Sequence, residues 1–413
     1  MRNTSIGFHT FSFFQKLSEG DYSSLEGDFI QQVRDGNMKR LPIEDKKNRK
    51  SIIGWEYTYT ANKGIRWIMK PTIVDTHLTM FGITTIITPK VLLNKNYIDA
   101  ATEEDIKRVE DLYNQEAKRI SPEILEFGRC PVNRADCCLN LDIKELNLPC
   151  STKQMMELIR RGDIPNHFVE WTKYDKTSHR KKAAGNNLYL ASGSVRINYY
   201  WKYDELQDNF PSCPNINDSK HIIRLEVQCL YPKLYSLSKD LRHESRFNMQ
   251  FDELTWDELH QLMTENVHDP AIPVDVVLAD KITSSIIEKY FYRVVRKGDY
   301  FTLSGARWMV ERYGFKREKE KRLLHTLELV KKCRGIAKAK ATLSGEKLKV
   351  FKRSIKDLEA ISVNPVTIPR RWGIKHIPNL MRAYHESLFE EQILFDNEYR
   401  THVYLTEYLA EED

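Results

Sequence analysis

Arg196-Ile197-Asn198-Tyr199-Tyr200-Trp201-Lys202-Tyr203 divides strictly into two sets of side chains. Side chains on a strand point alternately to opposite faces. Ile197, Tyr199, Trp201 and Tyr203 therefore share one face, and Arg196, Asn198, Tyr200 and Lys202 share the other. The pattern predicts a half-buried strand with a polar side. Two other stretches have the same form. In Arg134–Asp142, Ala135, Cys137, Leu139 and Leu141 alternate with Arg134, Asp136, Cys138, Asn140 and Asp142. In His221–Cys229, Ile223, Leu225, Val227 and Cys229 alternate with Arg224, Glu226 and Gln228.

Working outward, Trp55, Tyr57 and Tyr59 alternate with polar residues, and Gly64 allows a turn into 65–69. Residues 83–88, 188–192, 195–203 and 221–230 also read as strands. Residues 102–126 read as a helix capped by Thr102, and 152–161 as a second helix ended by Gly162. The polar, basic segment 172–187 reads as a loop or hairpin tip. After about residue 250 the periodicity becomes helical, with helices expected at 256–265, 280–297, 304–313, 316–334 and 345–361. Pro270 and Pro273 mark a linker. The expected fold is α+β. An antiparallel-rich central sheet domain (1–265) precedes a mainly helical, basic domain (270–413), whose successive helices could form a helix-turn-helix-like unit.

Composition narrows the class. The 413 residues are 41% hydrophobic and 30% charged, as in soluble globular proteins. No signal peptide or run of about 20 apolar residues is evident, so a cytoplasmic protein with no membrane partner is expected. Seven cysteines without a CxxC pair argue against a disulfide framework or a zinc site. Cys137 and Cys229 fall on apolar faces and read as buried free thiols. Net charge is only +6, but residues 331–356 hold ten Lys or Arg against one Glu. Lys347, Lys349, Lys352, Arg353 and Lys356 surround an apolar stripe of Leu348, Phe351, Ile355 and Leu358. Such a patch suggests a polyanionic partner, most simply nucleic acid.

The three polar strand faces carry complementary chemistry. If the strands are neighbours, Asp136 with Asp142, Tyr200 with Lys202, and Glu226 converge. Two or three carboxylates suit a hard divalent cation such as Mg²⁺ or Mn²⁺, which could polarise a phosphodiester. Tyrosine titrates near about 10 in isolation, so attack at neutral pH needs help. Lys202 and a metal would both favour the phenolate.

At these residues the chain resembles rolling-circle replication initiators, and most nearly the filamentous-phage gene II replication endonuclease with its plasmid relatives. The likeness rests on Arg134-Ala-Asp136, Tyr200-Trp-Lys202 and Arg224-Leu-Glu226 in that order. It spans about residues 130–230, with a vaguer likeness at 302–315. The resemblance implies a nicking-closing endonuclease for phage or plasmid DNA replication. Tyr200 would cut one strand at an origin, keep a 5′-phosphotyrosine intermediate and release a 3′-OH. A second transesterification would close the strand. Asp136 and Glu226 would hold the metal, with Asp142 as an extra ligand, and Lys202 would assist Tyr200. Tyr199 and Tyr203 rank behind Tyr200 as nucleophile. The His-hydrophobic-His metal motif of many related initiators is absent, and His77 stands alone. Lys173, Arg180, Lys181 and Lys182 would grip phosphates, and the basic helix at 345–361 would bind origin DNA. Duplex and single-stranded origin DNA, a host helicase and a polymerase are the implied partners, and a homodimer is compatible. Alternatives are a mobilisation relaxase, a nuclease that uses water, and a non-catalytic origin- or operator-binding protein.

Overall fold

The structure, a computed structural model, describes residues 3–45, 51–60, 64–75, 78–129, 131–171, 187–242 and 274–389. Among the described residues eleven strands build one antiparallel sheet. They are β1 (Ser5–Leu17), β2 (Met38–Glu44), β3 (Ile52–Tyr59), β4 (Ile65–Met69), β5 (Thr72–Asp75), β6 (Leu78–Ile87), β7 (Val132–Asp142), β8 (Val169–Glu170), β9 (Leu188–Ala191), β10 (Val195–Trp201) and β11 (Ile222–Leu230). Their order is β2-β3-β4-β6-β1-β7-β11-β10-β9-β8, with β5 paired on β6. A separate pair, β12 (Tyr300–Phe301) and β13 (His376–Ile377), lies in the helical part. The α+β class expected from the sequence is what the chain adopts.

The helices, in chain order, are α1 (Glu19–Arg34), α2 (Pro89–Leu92), α3 (Ile106–Ile120), α4 (Thr152–Ile159), α5 (Lys202–Asn209), α6 (Tyr231–Arg242), α7 (Val274–Leu278) and α8 (Asp280–Val294). They continue as α9 (Leu303–Arg312), α10 (Arg317–Cys333), α11 (Ile336–Ala341), α12 (Gly345–Glu359) and α13 (Leu380–Phe389). Three boundaries differ from the sequence reading. The helix expected over 102–126 begins as a short 3-10 turn at Glu103–Asp105 and stops at Ile120. Ser121 is extended because Pro122 follows it, and the residue before a proline avoids helical backbone. The strand expected over 195–203 stops at Trp201, where α5 starts. Asp204 and Glu205 fill the first turn of α5, and Lys202 pairs with Glu205 three residues on. These features favour a helix start over continued strand. Helix α11 is an additional element in the segment between the two helices expected at 316–334 and 345–361.

The apolar faces read from alternation enter one core, except for Trp201 and Tyr203, which stay partly exposed. Ala135, Cys137, Leu139 and Leu141 of β7, Leu225, Val227 and Cys229 of β11, and Ile197 and Tyr199 of β10 are buried together. Cys137 and Cys229 are buried free thiols. Helix α8 lies against β1, β7 and β11, and its Phe291 ring sits 6.5 Å from that of Tyr199. It thus adds Ile282, Ile286, Ile287 and Phe291 to the core of the sheet. Helices α9, α10 and α12 share a smaller core with Phe301, Val310, Leu323, Leu327 and Leu358. Lys340 of α11 ties back to the turn after α4 through Asp163 Oδ1 at 2.5 Å. No described helix is long and apolar enough to cross a membrane.

The segment after α2 crosses the edge of β1 and covers the other sheet face. Phe8 and Ala101 exchange both backbone bonds, at 2.8 and 3.2 Å. Gly7 permits that approach, because a Cβ there would run into the Ala101 carbonyl oxygen. Gly7→Ala is therefore expected to cost about 1–3 kcal/mol, as overpacking does. The urea midpoint reports this, and an unchanged midpoint would show that the crossing segment simply moves away.

Candidate active site

The strands carrying the three polar faces lie side by side as β7-β11-β10. Their adjacency, assumed from the sequence, is a property of the fold. Glu226 pairs with Asn198 on one side and Cys138 on the other, while Arg224 pairs with Tyr200 and Asn140. The face is not solvated, as half-buried strands would suggest. Tyr200 is 6%, Lys202 1%, Arg224 0% and Asp136 1% exposed. The crossing segment 93–101 and α5 provide the cover.

Tyr200 Oη donates to Glu226 Oε1 at 2.5 Å. Burial, then the Glu226 charge, push the Tyr200 hydroxyl well above its ordinary pKa, so it rests as phenol. Burial also pushes the Glu226 carboxyl up, but Arg224, the Tyr200 hydroxyl and Lys202 pull it down and Glu226 is held low; His9 adds to this only where its ring is protonated. Arg224 is the permanent cation among them. Its Nε donates to Asn140 Oδ1 at 2.6 Å and its Nη2 to the Ile98 carbonyl. Asn140 Nδ2 donates to the same carbonyl at 3.0 Å.

Lys202 reaches this face from the start of α5. Its Nζ lies 2.6 Å from Glu205 Oε2 and 6.0 Å from the centre of the Tyr200 ring. Burial, followed by the charges of Arg224 and Lys90, lowers its pKa from the ordinary 10.5 to about 7, against the pull of Glu205. Between about 7 and 10.5 the folded state therefore binds fewer protons at Lys202 than the unfolded chain. The contribution of Lys202 makes stability rise with pH across that window. Carbon-13 NMR of the lysine Cε atoms should show one ammonium titrating near about 7 that Lys202→Met removes. If every lysine titrates near 10, the burial argument fails.

Asp136 faces the same side but is held by Arg134, whose Nε and Nη2 grip its two oxygens at 2.8 and 2.5 Å. Burial raises its pKa to about 6 against the pull of that fork, leaving it ionised at neutral pH. Beside it, the β1 register slips by one residue between Phe8 and Thr10, the mark of a β-bulge. His9 is the extra residue, with Nδ1 3.0 Å from Thr10 Oγ1. Desolvation lowers its pKa to about 3 despite the Glu226 charge, and Lys90, Arg224 and Lys202 add to the effect. Its ring is neutral at neutral pH.

Other sequence-predicted residues lie apart from this group. Asp142 is six residues along β7 from Asp136, about 20 Å at strand rise. Its Oδ1 accepts the backbone N–H groups of Lys144 and Glu145 at 2.9 and 3.2 Å, and its Oδ2 accepts from Asn3 Nδ2 at 3.1 Å. Tyr199 points into the core on the opposite face. Tyr203 lies in α5 beside Trp201, and its hydroxyl accepts from Gln207 at 2.8 Å. Lys347, Lys349, Lys352, Arg353 and Lys356 line the exposed face of α12. Lys173, Arg180, Lys181, Lys182 and His77, the helix expected at 256–265 and the Pro270–Pro273 linker fall outside the described residues.

The donors expected for a divalent cation do not gather into a site. Among the described residues no three His, Cys, Asp or Glu side chains stand together to hold a metal ion. Asp136 is bound to Arg134 and Glu226 to Tyr200. A cation here would compete with both partners. Sequence reasoning quoted Arg224 only as part of a motif, gave Asn140 no role, and passed over Lys90 and His9 altogether. Arg224 and Asn140 stood in the polar faces but looked like solvated strand residues. His9 depends on a bulge and Lys90 on a chain crossing, and neither leaves a local signal.

No protein-family model matches the chain, and no curated protein does. Among solved structures, it is similar to a rolling circle replication initiator protein from Geobacillus stearothermophilus. Identity is 7%, coverage 69% of this chain and 96% of that one, and the TM-score 0.28. A likeness of that score does not establish a common fold.

Proposed function

We propose that the chain is a DNA nicking-closing enzyme that initiates rolling-circle replication, with Tyr200 as nucleophile. The observation that carries this reading is the Tyr200–Glu226 hydrogen bond at 2.5 Å, flanked by Lys202 and Arg224. It joins two motifs that are separate in sequence but appear together in the resemblance. A buried phenol needs a base within reach, and Glu226 is already in contact. Tyr200 Oη bonds to the phosphorus as its proton passes to Glu226. The phosphorus–O3′ bond breaks, and the departing oxygen takes a proton from the Lys202 ammonium. Strand closing is the reverse: a 3′-OH attacks the phosphotyrosine and Tyr200 recovers its proton. Transesterification suits the task because it keeps the phosphodiester energy that hydrolysis would release. Asp136 and Glu226 are the side chains through which a divalent cation would act, at the expense of their present partners. The steps above use the side chains alone.

The test is single-stranded and hairpin oligonucleotides from candidate origins, incubated with protein in Mn²⁺ or in chelator and run on a denaturing gel. A covalent protein–DNA band is expected. Cleavage with no adduct would replace this mechanism by hydrolysis. Tight duplex binding without cleavage would favour the second reading, an origin- or operator-binding protein. The exposed basic face of α12 is the observation behind that reading. Lys347→Glu with Lys352→Glu is expected to weaken duplex binding by about tenfold or more and to flatten its salt dependence. Unchanged affinity in a filter-binding assay would remove α12 from the interface.

A further inference from the structure

Lys90 stands in α2 and is 7% exposed. Among the described residues no hydrogen bond or ion pair fixes its ammonium. Its Nζ lies 5.3 Å from the centre of the Tyr97 ring. The next residue, Ile98, gives its carbonyl to Arg224, so Lys90 and Arg224 reach adjacent residues of the crossing segment. Among the described residues Arg224 makes no hydrogen bond to a carboxylate either: its donors meet the neutral Asn140 and Ile98 oxygens, its Nη1 is buried without a partner, and Glu226 answers it by charge alone. Of the acids near by, Glu205 is engaged by Lys202 and Glu226 by Tyr200. Three cations, Lys90, Lys202 and Arg224, thus face two carboxylates. A buried charge without a counter-charge is costly, and a protein keeps one where a ligand supplies the partner.

We propose that Lys90 and Arg224 form a phosphate-oxyanion site beside Tyr200, with Lys90 a residue that touches the scissile phosphodiester. This rests on the nicking reading for its location, but the anion site has its own readout. An ammonium and a guanidinium binding the two non-bridging oxygens would orient the phosphorus for in-line attack. They would also stabilise the charge that builds on those oxygens. Asp136 sits farther along the face and is neutralised by Arg134.

The probe is inorganic phosphate, titrated at constant ionic strength against wild type, Tyr200→Phe, Lys90→Met and Lys90→Arg, with thermal midpoint and calorimetry as readouts. Phosphate is expected to stabilise wild type and Tyr200→Phe alike. Lys90→Met should weaken its affinity about ten- to a hundredfold, the worth of a charged hydrogen bond, and Lys90→Arg should restore most of it. A purely packing role for Lys90 would lower the midpoint without altering the response to phosphate. No phosphate response in wild type, or an equal one in Lys90→Met, overturns the site. Should Lys90→Met fail to fold, sulfate soaked into wild-type crystals decides. Sulfate bonded to Lys90 and Arg224 supports the proposal, and sulfate elsewhere or none refutes it. Phosphate binding with no covalent adduct would sink the tyrosine mechanism and spare the anion site. An adduct with no phosphate response would do the opposite.

Discussion

Tyr200→Phe is expected to abolish the covalent DNA adduct, lowering its rate of formation by more than about a thousandfold, as loss of a nucleophile does. Stability should fall by about 1–3 kcal/mol, because the buried Glu226 carboxylate loses the hydrogen bond from the hydroxyl, while the fold is kept. The ring stays in place, and Glu226 keeps the Arg224 and Lys202 charges when it loses the hydroxyl. The neighbouring tyrosines are the controls. The Tyr199 hydroxyl is buried in the core with no partner among the described residues, so Tyr199→Phe should be neutral or slightly stabilising and fully active. Tyr203→Phe loses one exposed bond from Gln207 and should also be active. An adduct that persists in Tyr200→Phe and disappears in either control would overturn the assignment.

Arg224→Leu should be the most damaging single change to the fold of the site. A fully buried guanidinium here holds Asn140 and the Ile98 carbonyl and balances Glu226. Removing it takes the permanent cation from beside the buried Glu226 carboxylate and leaves Asn140 Oδ1 without its donor, at a cost of about 3–5 kcal/mol. Lysine should not rescue it, because one ammonium cannot reproduce a fork that serves two acceptors. Chemical denaturation of both variants measures this. A loss below about 1 kcal/mol would mean that the network rearranges and that Arg224 is not its keystone.

Alternation made the three strands and their faces legible, because a period of two survives whatever the neighbours are. It also put Tyr199 and Tyr200 on opposite sides, as the fold has them. It could not say that β11, last in sequence, lies between β7 and β10, since pairing order is a long-range property. It carried the strand past Trp201, because Lys202 and Tyr203 continue the alternation even though Asp204 and Glu205 start a helix. The polar face was expected to meet solvent, because nothing in Asn94–Ala101 announces a chain crossing. Hence Lys90 and Arg224 had no visible role. Asp142 illustrates the reverse: its position at a strand end suited a ligand equally well as a turn-capping acid, and only the bonds to Lys144 and Glu145 tell these apart.

The central place of β11 has a consequence for biogenesis. During synthesis β7 and β10 leave the ribosome before the strand that joins them. Until residue 230 has emerged, Tyr200 has neither its base nor its cationic neighbour on β11. A partly made chain therefore carries no competent nucleophile, and activity can arise only when this late, long-range pairing closes. Under the nicking reading, such timing would confine strand breakage to chains in which β11 is already in place. The same logic makes products truncated before residue 222 inert by construction.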